Sequence, residues 1–353
     1  MERFLPYNYD GSSCFMNSLL CALFFPVKLR VIDPYLLLGH RADMNYPQRQ
    51  ELSSVLRTLA KCVRGSLVSD VNTFKAARPL LSHYLFHLDN VQFEYGQHDP
   101  ADLYESLLRV FNIGGVFITK KTIESEYGNG QKNVTVTTDQ MFRYSVFHCV
   151  NTGHTRFETL FPSIDTLVLN ESLNESLNES LNESLNESLN ESLNESLNES
   201  EGKCFTGDKL VKQRTIIEFG GGPVLVITRE AGMSDTKPVQ YGRLSPSTNS
   251  YVLPVLNTVE RCVNWYELQA VLCWNGQVST RGEAAGHYIC FVYEDFSHTW
   301  YFYNDMNRRN GVEQAFSGLQ KVPFLEEHSQ YPPSETGTMF IYVKLAAPPN
   351  DVQ

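Results

Sequence analysis

The apolar pattern changes its period once along the 353-residue chain, at about Gly114. Before that point the spacing is helical. Cys14 to Phe25 is an apolar run led in by Asp10, Gly11, Ser12 and Ser13, which supply turn and capping chemistry, and Pro26 stops it. Between Gln48 and Arg64, Leu52, Val55, Leu56, Leu59, Ala60 and Val63 define one helical face that ends at Gly65. A third helix opens at Asp99-Pro100, with Asp suited to the N-cap and Pro to the first helical position. Beyond Gly114 the runs become β-branched and aromatic: Val134–Thr137, Phe142–Cys149, Pro223–Thr228, Tyr266–Trp274, His287–Tyr293, Thr299–Tyr303 and Met339–Leu345. Helices first and strands afterwards predicts an α+β fold, with helices segregated from a largely antiparallel sheet.

One stretch obeys neither period. From 169 to 200 the unit Leu-Asn-Glu-Ser repeats, and Asn and Ser weaken any helix the period of four would favour. The tract reads as a solvated low-complexity insertion. Its eight Asn-Glu-Ser triplets match a glycosylation acceptor pattern only as a by-product of the repeat. It also holds eight Glu, so the formal charge of −11 leaves the rest of the chain near −3. That balance argues against nucleic acid or an anionic membrane as the main partner. Eight scattered Cys, several inside apolar runs, read as reduced buried thiols and not as a disulfide scaffold. Met1–Asp10 shows no basic-then-apolar leader, and no apolar run approaches a membrane span. The sequence therefore predicts a soluble monomer of the cytoplasm or nucleus.

Two residues stand out as chemistry. Cys14 follows a small-residue turn at a helix start, where the dipole and unpaired N–H groups favour thiolate over thiol. By itself a Cys in an apolar helix is an ordinary core residue. His287 leads an apolar strand after the loop Gly276–Ala285, where a base can face a nucleophile carried by a helix N-terminus. Downstream, Trp300–Tyr303 is a strand ending in Asn304 and Asp305. An antiparallel return would bring those polar groups beside the imidazole to fix its tautomer.

The run Gly11-Ser12-Ser13-Cys14-Phe15-Met16-Asn17-Ser18-Leu19-Leu20-Cys21-Ala22-Leu23-Phe24 resembles the cysteine box of the ubiquitin-specific proteases. Tyr266–Leu272, Gly286-His287-Tyr288 and Trp300–Asp305 resemble their histidine box. Gln97-His98-Asp99-Pro100-Ala101-Asp102-Leu103 is similar to the acidic helix-start motif between the boxes, and Pro223–Arg229 to a central strand. The order is the family's, and the pieces span nearly the whole chain. The aromatic endings and short central region also resemble the cylindromatosis-type branch.

The resemblance implies a papain-like fold with a helical thumb, an antiparallel β palm and reduced fingers. It implies one catalytic domain over 1–353, with a thumb lobe at 1–113, a fingers and palm lobe at 114–353, and the 169–200 insertion. It also implies a deubiquitinating cysteine peptidase that acts at ubiquitin's C-terminal glycine through a thioester. Cys14 would be the nucleophile, His287 the general base, and Asn304 the orienting third residue, with Asp305 able to share that task. Asp99, Asp102 and Gly286 would line the path of ubiquitin's tail.

Two departures from the family pattern matter. Tyr9 stands where the family places its oxyanion Asn, so Asn8 is the candidate there. The family's paired zinc cysteines are reduced to Cys149 and Cys204, and His154 cannot complete four ligands, so neither metal nor other cofactor is expected. Two further readings stand beside the protease: an inactive ubiquitin-binding relative, and a papain-like enzyme for another ubiquitin-like modifier. The loop 276–286 is expected to gate the cleft.

Overall fold

The computed structural model describes residues 4–6, 13–37, 47–65, 70–93, 98–111, 113, 119–127, 132–138, 146–149, 156–161, 210–219, 221–229, 238–257, 260–278, 284–305, 308–309, 312–313, 316–327, 331–349 and 351. The Leu-Asn-Glu-Ser tract, Asn8, Tyr9, His154 and Cys204 lie outside them.

Among the described residues the first third holds four helices of three turns or more, α1 (Cys14–Phe24), α2 (Pro47–Gly65), α3 (Asp70–Asp89) and α4 (Pro100–Val110), with only short helical turns at Lys28–Ile32 and Asp33–Leu36 between the first two. Every residue of α1 is buried, so this helix has no solvent face and must be surrounded. α2 buries the predicted stripe of Leu52, Val55, Leu56, Leu59, Ala60 and Val63. Asp99 caps α4 with its carboxylate accepting from the Ala101 N–H at 2.9 Å. α3 was not anticipated. Its buried row of Phe74, Ala77, Leu81 and Leu85 has helical spacing, but Pro79 inside the helix interrupts the pattern a reader would follow. Among the described residues, no single helix is long and apolar enough to cross a membrane.

The strands form a central sheet, nine-stranded among the described residues. In chain order they are β1 (Val146–Cys149), β2 (Val224–Arg229), β3 (Arg243–Ser245), β4 (Ser250–Asn257), β5 (Cys262–Val278), β6 (Ala284–Glu294), β7 (Thr299–Tyr303), β8 (Gln320–Val322) and β9 (Gly337–Lys344). The spatial order is β8-β7-β6-β5-β9-β2-β1, with β4 also on β5 and β3 on β4. All pairings are antiparallel except β1 with β2. A separate three-stranded sheet joins Thr119–Tyr127 to Lys132–Thr138 and Leu210–Phe219. The α+β architecture expected from the pattern is present.

The near-continuous apolar runs of β5 and β6 follow from a sheet covered on both faces. Tyr288, Cys290 and Val292 point into the core shared with the helices, whereas Ile289, Phe291 and Tyr293 enter a second core on the other face. α1 packs on the first of these faces, against β6 and β5. Just beyond it, Lys28 pairs with Glu267 of β5 and with Asp295 at 2.8 Å. Glu267 also accepts from Ser250 (2.9 Å) and Gln269 (2.8 Å), so this buried carboxylate is satisfied.

The expected gate shrinks. Val278 pairs with Ala284 and Gly276 with Gly286, so both ends of the 276–286 stretch belong to a hairpin. Backbone pairing extends the strands past the glycines, and only 279–283 is left as connection, outside the described residues.

Because α1 is enclosed on all sides, Leu20→Ala should cost about 2–5 kcal/mol in urea unfolding. Leu80→Ala, on the exposed side of α3, should stay within about 0.5 kcal/mol.

Candidate active site

Cys14 is the first residue of α1, preceded by Ser13 at the N-cap. The backbone N–H groups of Cys14 and Phe15 turn toward the sulfur, as does that of Tyr288 in β6, and each favours thiolate. The expectation of a depressed thiol pKa nevertheless fails. Burial is the largest influence and, with the nearby Asp305 carboxylate, it pushes the Cys14 thiol up to about 11. The side chain is only 1% exposed, so little water is available to solvate a thiolate. Burial thus keeps Cys14 as a thiol.

Tyr288 ties α1 to the predicted base, because His287 is its neighbour in β6 and Ser18 Oγ donates to the Tyr288 carbonyl at 3.1 Å. The second half of β6, Cys290–Glu294, pairs with β7, and the chain leaving β7 at Tyr303 continues beside His287. There His287 Nε2 lies 2.9 Å from Asn304 Oδ1 and 3.3 Å from Asp305 Oδ1. An amide oxygen can only accept, so Nε2 carries a proton, and in the neutral ring the lone pair is on Nδ1, on the other side. The third position is thus divided: Asn304 takes the hydrogen bond and Asp305 stands next to it as the charge. Asp305 is fully buried, and the Asn17 amide of α1 donates to its Oδ2 at 2.6 Å.

The acidic helix start also arrives here. The His98 ring sits 5.3 Å from both Phe15 and Phe93, which seats the start of α4 against the start of α1. Tyr288, whose hydroxyl is raised first by burial, also feels Asp99, Cys14 and Asp102, so both acids border the site. Asp102 is exposed and Asp99 half-buried. Gly286 has a packing role of its own: a Cβ there would lie 2.3 Å from Trp274 Nε1, so the indole covers the residue before His287.

Sequence reasoning missed Asn17 and Arg78 of α3. Arg78 is 6% exposed and donates to Asn17 Oδ1 at 3.0 Å. Its signal was legible: a charged side chain within the apolar row of Phe74, Ala77, Leu81 and Leu85 must find a partner indoors. Asn8 lies outside the described residues, so the oxyanion assignment has no geometry to report. Among the described residues, no group of three or more His, Cys, Asp or Glu side chains could hold a metal ion.

A cysteine at a helix start that meets the backbone N–H of the residue after a strand-borne histidine, with that histidine's Nε2 held by an amide, is the arrangement of a papain-like thiol hydrolase. The family model for ubiquitin carboxyl-terminal hydrolase matches residues 8–342. This chain belongs to that family and is a deubiquitinating cysteine peptidase. The match is to the family as a whole and does not distinguish the cylindromatosis-type branch.

No curated protein matches the sequence. Among solved structures, the chain is similar to a SAGA deubiquitinating module of Ubp8, Sgf11, Sus1 and Sgf73 bound to monoubiquitin. The TM-score is 0.55 and the identity 11%, over 99% of this chain and 70% of that one. The same module bound to ubiquitin aldehyde gives a TM-score of 0.52 at 10% identity, over 99% and 70%. At these identities the likeness is one of fold.

The raised thiol predicts how Cys14 reacts before substrate arrives. Its alkylation by iodoacetamide, read by mass spectrometry of its peptide, should keep accelerating between about pH 8 and pH 10. A rate that has levelled off by about pH 8 would mean a thiolate already formed.

Proposed function

We propose that the chain hydrolyses isopeptide and peptide bonds at ubiquitin's C-terminal glycine with Cys14 as nucleophile and His287 as general base. The observation that carries this reading is the clasp between the two boxes: Tyr288 N–H on the Cys14 sulfur, and the Asn17–Asp305 bond that reaches the His287 side of the site. A thiol that rests protonated must lose its proton during attack, so His287 Nδ1 takes it as the sulfur closes on the carbonyl. Imidazolium then forms with Nε2–H on Asn304 and the Asp305 charge beside it, which stabilises it where an amide alone would only orient it. The proton passes to the departing amine, leaving a thioester. Water, deprotonated by the same imidazole, releases ubiquitin and the free thiol.

Asp99 and Asp102 suit a basic segment of the incoming tail, and Asp99 keeps its cap while doing so. The near-complete burial of Cys14 favours a second reading, an inactive relative that only binds ubiquitin.

A ubiquitin probe with a C-terminal electrophile separates the two. We expect covalent labelling at Cys14 that Cys14→Ala abolishes. On a fluorogenic ubiquitin conjugate, His287→Ala should lower kcat by about 10²- to 10⁴-fold. Tight probe binding without a covalent adduct, or turnover by Cys14→Ala, would overturn the assignment.

A further inference from the structure

Arg78 is a buried cation that the chemistry above does not use, and its contact leads straight to the base. Its guanidinium donates to Asn17 Oδ1 at 3.0 Å, Asn17 Nδ2 donates to Asp305 Oδ2 at 2.6 Å, and Asp305 Oδ1 lies 3.3 Å from His287 Nε2. Each link joins separate parts of the chain: α3 to α1, α1 to the turn after β7, and that turn to β6. Arg78, Asn17 and Asp305 are all buried, at 6%, 1% and 0% exposure.

The amide between the two charges cannot turn over. Its oxygen must face the guanidinium, which only donates, and its nitrogen must face the carboxylate, which only accepts. The reverse placement would set two donors together at one end and two acceptors at the other. A cation and an anion therefore lock one orientation of Asn17, and the locked amide fixes where Asp305 Oδ2 sits. With Oδ2 held, the other oxygen is presented to the imidazole. Arg78 also supplies the positive charge that offsets a carboxylate inside the protein, where an uncompensated charge is costly. The Tyr303 hydroxyl registers both ends: burial raises it most, Asp305 adds to that, and Arg78 opposes it.

We infer that Arg78 is a positioning residue for catalysis, acting through Asn17 to hold Asp305 against His287. This inference rests on the reading of Cys14 and His287 as the catalytic pair. Arg78 does not touch the reacting atoms. The base is thereby coupled to the packing of α3 on α1, an element no part of the cysteine or histidine box includes.

The test compares kinetics on a fluorogenic ubiquitin conjugate in two backgrounds. Parent enzyme that carries the Cys14 adduct of the ubiquitin electrophile upholds the underlying reading; parent that does not removes that reading and the relay with it. In the labelling-competent parent, Arg78→Met should lower kcat about 10- to 100-fold, the worth of a hydrogen bond to a charged group, with KM within about twofold. Arg78→Lys, which restores the charge without the planar fork, should recover part of the loss. In the Asp305→Asn background, Arg78→Met should cost less than about twofold more, because the group it positions is already gone. Equal fold-losses in the two backgrounds, a change confined to KM, or full activity of Arg78→Met would each overturn the relay. Should Arg78→Met alone fail to fold, Arg78→Met/Asp305→Asn, which leaves neither buried charge, is compared with Asp305→Asn, and a loss beyond twofold refutes the proposal.

Discussion

A helix with no solvent face sets the terms for everything else in this protein. α1 is apolar almost throughout, so its burial must come from both the sheet and the helices around it. That requirement brings the chain's opening segment against β6, formed some 270 residues later. The few polar side chains on α1 are carried indoors with it and cannot go unsatisfied. Ser18 finds the Tyr288 carbonyl, and Asn17 finds Asp305 and Arg78. The hydrophobic effect supplies the approach, and these bonds fix the rotation of the helix about its axis. With that rotation fixed, the first residue of α1 faces β6 where the histidine stands.

The same burial that assembles the site changes its chemistry. An exposed helix start would lower the thiol's pKa, and the amides aimed at Cys14 do act in that direction. Loss of water outweighs them, with the Asp305 carboxylate adding to the effect. A buried anion next to a sulfur opposes thiolate formation, yet beside an imidazole it favours imidazolium. Asp305 lies close to both, so it adds to the burial that raises the Cys14 thiol, and in the proposed mechanism its charge would support the protonated His287.

Much of the fold was legible because period and capping report local structure. The helix from Cys14, the stripe along α2, the Asp99 cap and the strands around His287 and Trp300 appear where residue spacing puts them. α3 is hard to read because Pro79 and Arg78 break its apolar row, and the buried Arg78 is tolerated there through its bond to Asn17. From sequence alone the stretch joining β5 to β6 reads as an open loop, since glycines weaken a strand signal that cross-strand pairing restores.

The candidate site divides along the same line. The residue types, Cys at a helix start, His in a strand and two polar groups after the next strand, are properties of the chain itself, because local chemistry decides what each can do. Which nitrogen of His287 is held by the amide, how Asn304 and Asp305 share the space beside it, and whether Cys14 rests as thiol or thiolate were not. Those answers depend on distances of about 3 Å between side chains of separate segments, and on how much water the closed core leaves around them. Sequence determined the functional groups; only the packing of α1 between helices and sheet decided their charges and their partners.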